Sequence, residues 1–267
     1  MKKVLTIAGS DGSGGAGIQA DLKTFAAHGV FGLSVITAVT AQNTLGVQAV
    51  QDIDREMVSK QIEAVFDDIE VDAVKIGMVS QTATIETIAG ALKKYTPEHI
   101  VLDPVMAAKN GCHLLKKEAE TLLIKELFPL AEIVTPNIPE AEAITGLGID
   151  NLQQMEEAAA AIFRLGARNV LLKGGHLEGN PTDILYNGRE FLYFTQARIE
   201  TKNTHGTGCT LSSAIAANLA LGREVEEAIT LAKDYITVAI EHSLPLGRGA
   251  GPTHHFYALY KKAGLIP

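Results

Sequence analysis

Cysteine is scarce in this chain: there are two, Cys112 and Cys209. Two distant cysteines make no disulfide framework and have no zinc-ligand spacing, which excludes a small secreted scaffold and a zinc ribbon. No N-terminal run reads as a secretory signal, so the expected compartment is a reducing cytoplasm. Long apolar runs are missing too. None reaches the roughly 18 residues of a membrane span, and no membrane partner is expected. Basic charge is also in short supply, with 23 Lys and Arg against 31 Asp and Glu, a net charge of −8. Both signs are mixed along the chain, so no basic patch exists to neutralise a nucleic-acid backbone, and any phosphate site must be local. Linkers, low-complexity tracts and repeats are absent. With 267 residues, 46% of them hydrophobic, one domain spanning residues 1–267 is the simplest organisation.

What is present alternates. Apolar runs at 2–8, 32–41, 72–76, 100–102, 131–134 and 169–173 predict buried strands. Between them, helical spacing predicts helices over 17–28, 54–66, 82–95, 116–127 and 151–166, with Asp54 and Asn151 as N-caps. Residues 181–195 break the rhythm as a hairpin around Asn187-Gly188, and 224–242 are helical again. The order implies an α/β fold with a mostly parallel central sheet and helices on both faces.

Two glycine-rich stretches stand out. Residues 9–17 follow the first strand and open a helix; Gly12, Gly14 and Gly17 match the dinucleotide-binding spacing. That fingerprint also needs an acidic residue about 20 positions later to hold a ribose, and 33–42 contains none. No Walker-type loop occurs either. The turn is better suited to bring backbone close to a small substrate, with Asp21 one helical turn inside. The second stretch, Asn203 to Thr210, precedes a small, apolar helical run ending at Gly222. Its free amides and the positive end of the helix dipole form an anion site. Cys209 lies in that field, where a thiol can have a lowered pKa and act as base or nucleophile; as a small buried hydrophobe it reads equally well.

Ligands of open α/β sheets bind outside the carboxyl ends of the strands. This places Gly9 to Gly17, Gln42, Met78, Asp103, Asn137, Glu140, Lys173 and Gly206 to Cys209 on one rim. The Gln42 amide offers a donor and an acceptor to a heterocycle edge. Asp103, Asn137 and Glu140 supply oxygen ligands suited to Mg²⁺. Lys173 adds positive charge. Each has a plain structural use as well: a turn at Asp103-Pro104, a helix start at Asn137 and Glu140, a solvated Lys173. Their shared position with complementary charges favours phosphoryl transfer.

The motifs Ala8-Gly9-Ser10-Asp11, residues 13–23, Gln42-Asn43-Thr44, Lys75-Ile76-Gly77-Met78, Asp103-Pro104-Val105-Met106, Thr135-Pro136-Asn137 with Glu140, Lys173-Gly174-Gly175-His176 and His205 to Thr210 resemble the hydroxymethylpyrimidine/phosphomethylpyrimidine kinases of thiamine biosynthesis. The resemblance runs from about residue 3 to residue 257 and implies a single-domain ribokinase-like fold. It implies a pyrimidine pocket of Gly9, Asp21, Gln42, Met78 and Val105, with Cys209 near the hydroxymethyl group, where many related sugar kinases carry an aspartate base. It also implies ATP phosphates on Lys173 and the amides of Gly206, Thr207 and Gly208, Mg²⁺ on Asp103, Asn137 and Glu140, and a homodimer. Cys209 is then expected to serve phosphorylation of the alcohol and matter much less for the monophosphate, which is already ionised. A flap is expected over 107–113, with Cys112 a bystander, and 246–252 is expected to border the adenine. Two rival functions are a vitamin B6 kinase on the same fold and a non-catalytic pyrimidine-binding module.

Overall fold

The structure is a computed structural model that describes residues 1–106 and 115–266. Strand β1 (Lys3–Ala8) leads through the first glycine turn into helix α1 (Gly17–Ala27), and β2 (Phe31–Ile36) returns parallel to β1. Next, β3 (Ala38–Asn43) and β4 (Gly46–Asp52) form an antiparallel hairpin. Alternation resumes with α2 (Arg55–Phe66), β5 (Ala73–Ile76), α3 (Thr82–Tyr95), β6 (His99–Leu102) and α4 (Lys117–Leu127). It continues with β7 (Ile133–Val134), α5 (Ile138–Thr145), α6 (Leu152–Phe163) and β8 (Val170–Leu172). The chain ends with β9 (Thr182–Tyr186), β10 (Phe191–Thr195), α7 (Thr207–Ala220), α8 (Val225–Glu241) and α9 (Tyr257–Lys262).

Among the described residues, eight strands form one sheet in the order β10-β9-β8-β7-β6-β5-β1-β2. It is parallel from β8 to β2 and antiparallel at β8–β9 and β9–β10. Because side chains alternate across a strand, the buried sheet divides its residues between two cores. Leu5, Ile7, Val74, Ile76, Leu102 and Val134 pack under residues of α2 to α6. Val4, Ala73, Val101, Ile133 and Leu171 pack on the other face with Phe25 of α1 and the apolar residues of α7 and α8. The predicted α/β architecture is the observed one.

Helix starts follow the local chemistry. Asp54 accepts the Met57 amide at 2.9 Å and Asn151 that of Gln154 at 3.0 Å. The strand expected over 32–41 is two strands. Thr37 leaves the ladder, donating its amide to Ala8 and its hydroxyl to Met78 O at 2.8 Å, and the chain lifts off the main sheet to pair with β4 instead. The hairpin projects from the sheet, with Val39 and Val50 exposed.

Candidate active site

One cavity of about 790 Å³ lies at the carboxyl ends of the parallel strands. Its walls bring together Gly9, Gln42, Met78, Asp103, Asn137, Glu140, Lys173 and Gly206 to Cys209, as the strand-end rule predicts, with Val105, which the resemblance implied. Gln42 stands at a register shift of β3, between Ala41 and Gln42, the kind of bulge that re-aims a side chain beside a site. The expected flap, residues 107–113 with Cys112, lies outside the described residues. Segment 246–252 is not among the lining residues; the Gly249 amide donates to Thr44 Oγ1 and that of Ala250 to Thr44 O, so it buttresses the hairpin turn.

The two glycine turns are packed on each other. Gly206 has φ +78°, and a Cβ there would run into the carbonyl oxygen of Gly15; a Cβ on Gly15 would run into the His205 ring. Asp11 ties the pair together. Nearly fully buried, it accepts from Ser13 N and Oγ at 2.8 and 2.7 Å, Ala16 N at 2.8 Å and His205 Nε2 at 2.8 Å. Burial alone would raise its pKa, but these bonds, His205 foremost, lower it to about 2.

Asp21 departs from its expected place. It does not line the cavity. Fully buried between α1, α7 and the sheet, it accepts from Thr6 Oγ1 at 2.6 Å, Ser213 Oγ at 2.7 Å and, through both oxygens, Lys75 Nζ at 3.0 Å. Lys75 is the member of this pair that reaches the cavity wall. Although burial disfavours its charge, Asp21, Cys209 and Asp103 raise its pKa, so it remains an ammonium.

Elsewhere on the cavity wall, α7 is preceded by the left-handed Gly206 with no side-chain cap; the Thr207 amide reaches Thr204 O at 3.4 Å, and the following first-turn amides can serve an anion. Lys173 Nζ sits 2.8 Å from Asp103 Oδ1, and the Thr135 hydroxyl donates to the same oxygen. Despite burial, Lys173 and Lys75 hold the Asp103 carboxyl below its usual range. Asn137 and Glu140 do start a helix: Asn137 Oδ1 accepts the Glu140 amide at 2.9 Å and Glu140 Oε2 the Asn137 amide at 2.8 Å, a reciprocal capping box. Burial pushes Glu140 up to about 7 against the pull of Lys173, with Asp103 adding to the rise. Two buried carboxylates that raise one another's cost are a donor set a divalent cation would relieve. Mg²⁺ commonly uses only one or two carboxylates, completing its shell with water and phosphate, and the residues fit it.

Of the two readings of Cys209, a lowered pKa and a small buried side chain, its surroundings favour the second. Burial pushes the thiol up to about 11; the Lys75 charge and the Gly17 amide oppose this, and the carboxylates of Asp21 and Asp103 reinforce it.

Beyond this geometry, the sequence matches the family model of phosphomethylpyrimidine kinase over residues 11–254. The chain belongs to that family. A bifunctional thiamine biosynthesis protein of Geobacter sulfurreducens is 55% identical over 96% of this chain, which spans only 52% of that longer protein. A hydroxymethylpyrimidine/phosphomethylpyrimidine kinase of Rhizobium meliloti is 53% identical, covering 96% of this chain and 98% of its own length. Of solved structures, phosphomethylpyrimidine kinase from Clostridium difficile matches with TM-score 0.81 at 55% identity, covering 90% of this chain and all of that one. Pyridoxal kinase of Bacillus subtilis, an ADP complex, matches with TM-score 0.90 at 41% identity, over 97% and 99%. The chain is therefore a kinase with a ribokinase-like fold.

Within this kinase, Lys75, Asp11 and His205 line the cavity; all three stand in the quoted motifs, but the sequence reading gave none of them a role. Lys75 had a signal: a lysine inside the otherwise apolar strand run 73–76 must be buried and therefore paired. The contact between Asp11 and His205 had none, because it spans 194 positions of chain.

Proposed function

We propose that this chain transfers phosphate from ATP to 4-amino-5-hydroxymethyl-2-methylpyrimidine and then to the resulting monophosphate, for thiamine biosynthesis. The observation that best supports this is that a single cavity is lined both by a heterocycle-reading amide, Gln42, and by an anion site of Lys173 and the α7 amides. Gly9, Met78 and Val105 wall the ring, and Lys75 and Cys209 face the hydroxymethyl group. The same cavity is lined by His176, Pro181, Arg198 and Ile240, which would receive the nucleoside of ATP. Asp103, Asn137 and Glu140 would hold Mg²⁺, which when bound neutralises charge on the transferring phosphoryl group.

The residues themselves position the reactants. Lys173 and the amides of Gly206, Thr207 and Gly208 draw the phosphates in line and receive charge in the transition state. With its pKa pushed up to about 11 the Cys209 thiol is protonated at neutral pH, so it can only orient the substrate hydroxyl by a hydrogen bond, and the hydroxyl proton passes to an oxygen of the transferring phosphoryl group as the bond to phosphorus forms. A loose transition state asks little of a base, and the ionised monophosphate asks nothing. We further read the molecule as one kinase domain over 1–267, a cytoplasmic homodimer, with the exposed Val39 and Val50 of the hairpin as apolar surface for a second copy.

ADP release with Mg·ATP and, in parallel, the pyrimidine alcohol, its monophosphate and pyridoxal tests this through kcat/KM. Both pyrimidines should exceed pyridoxal. Dominant pyridoxal turnover would make the chain a vitamin B6 kinase, and no turnover would leave a binding module.

A further inference from the structure

Asp183 and Lys233 form a buried ion pair that the steps described above leave unused. Asp183, on β9, is 4% exposed and Lys233, on α8, is 7% exposed, and both line the cavity. Oδ2 of the carboxylate meets Lys233 Nζ, and Oδ1 accepts the Gly174 amide at 2.9 Å. Gly174 directly follows Lys173, so this bond fixes the peptide on one side of the Lys173 Cα. On the other side, the Lys173 amide donates to Pro136 O at 2.8 Å, and Lys173 forms a parallel bridge with Asn137. Both N–H groups flanking that Cα are thus held. The Lys173 backbone is set between the segment that carries Asn137 and Glu140 and the carboxylate of Asp183. From there its ammonium reaches Asp103 Oδ1 at 2.8 Å.

The arrangement begins where the ladder runs out. Strands β8 and β9 pair as far as Leu172 and Ile184, and beyond them the Asp183 side chain, not a backbone carbonyl, receives the Gly174 amide. A Cβ on Gly174 would run into Thr182 O, so the bare glycine backbone lies against β9 within reach of the carboxylate. A carboxylate in so enclosed a place needs a counter-charge, and Lys233 supplies it. Resting on the reading that Lys173 receives the phosphates of ATP, we propose that Asp183 is a positioning residue for phosphoryl transfer. By holding the Gly174 amide it sets the Lys173 ammonium at the cavity wall, and Lys233 acts only through Asp183.

The test separates the acceptor from the charge. Asp183→Ala alone strands Lys233, so two double variants are compared, each checked for folding by its urea midpoint. Asp183→Asn with Lys233→Met removes the ion pair but keeps an oxygen for Gly174. Asp183→Leu with Lys233→Met removes the oxygen as well, and apolar replacement of a buried pair is often tolerated. This second double variant should raise the KM for Mg·ATP and lower kcat roughly 10- to 100-fold, the scale of a displacement approaching about 1 Å. The first should stay close to wild type. In calorimetric titration without nucleotide, both should bind the aminopyrimidine alcohol as wild type does, a split that a general loosening of the fold would not give. Asp183→Glu, which keeps the charge and moves the acceptor by one methylene, should repeat the split at smaller size.

A first double variant as impaired as the second would show that the charge or Lys233 itself matters, and would overturn the proposal. Pyrimidine binding that weakens in step with Mg·ATP, or unchanged kinetics in both the second double variant and Asp183→Glu, would overturn it too. Lys173→Met separates the two levels. If it is impaired while the second double variant works normally, the role of Asp183 alone is overturned; if its KM for Mg·ATP is unchanged, the phosphate-holding reading and the proposal fall together.

Discussion

Gly15 and Gly206 touch backbone to backbone, so closely that a side chain on Gly206 has no room beside the Gly15 carbonyl. Gly206 also has φ +78°, which costs an L-residue about 1 kcal/mol before any clash. Gly206→Ala should therefore push the two turns apart and misplace the α7 amides. The expected outcome is a loss of more than roughly 100-fold in kcat/KM, the scale of about 1 Å of misplacement, with steady-state kinetics as the check.

Asp21 and Lys75 are both fully buried and hold one another at 3.0 Å. Removing one charge strands the other. Asp21→Asn should cost roughly 3–5 kcal/mol, and Asp21→Asn with Lys75→Met should cost clearly less than the sum of the single changes. Urea unfolding with an unchanged m-value would measure this.

The Cys209 thiol, pushed up to about 11, sets the size of its catalytic effect. Cys209→Ala should lower kcat for the alcohol by less than roughly 100-fold, the bottom of the general-base range, and leave the monophosphate step almost unchanged. A loss nearer 10⁴-fold would show a true base; equal losses in both steps would remove the distinction altogether.

Asp11 has its pKa lowered from 3.8 to about 2 in the folded chain. The folded state thus binds fewer protons than the unfolded state between these values. The resulting stability, about 2 kcal/mol, is fully present above pH 4 and disappears as pH falls through 2. Asp11→Asn should lose it at neutral pH and flatten stability between pH 4 and 2, as read by denaturant midpoints across that window.

Much of this is legible in the sequence where the signal is local. Asp54 and Asn151 announce helix starts because a side-chain oxygen three residues before a free amide can hardly do otherwise, and Asn187-Gly188 announces its hairpin, with Gly188 at φ +86°. The strand-end list was good because topology alone decides which residues share a rim. The β3–β4 pair was not legible: Thr37 is no breaker by type, and the chain turns there only because carbonyls of distant segments accept its N–H and O–H groups. The surroundings of Asp21 and Cys209 were hidden for one reason. The first is claimed by a lysine from another strand and the second is desolvated beside two carboxylates, and neither neighbour is near in sequence.

The Lys173–Asp103 contact at 2.8 Å has a bearing on how the co-substrate arrives. Each is the other's counterion, so a phosphate approaching Lys173 meets an anion, and a divalent cation approaching Asp103 meets an ammonium. Either visitor alone must break a compact ion pair with little in return. A cation and a phosphate delivered as one complex exchange partners pairwise: old contacts open as new ones close, and the local charge hardly changes. If the proposed Mg·ATP binds here, the pocket would work as an ion exchanger with matched sites, favouring a ligand that already carries its own metal.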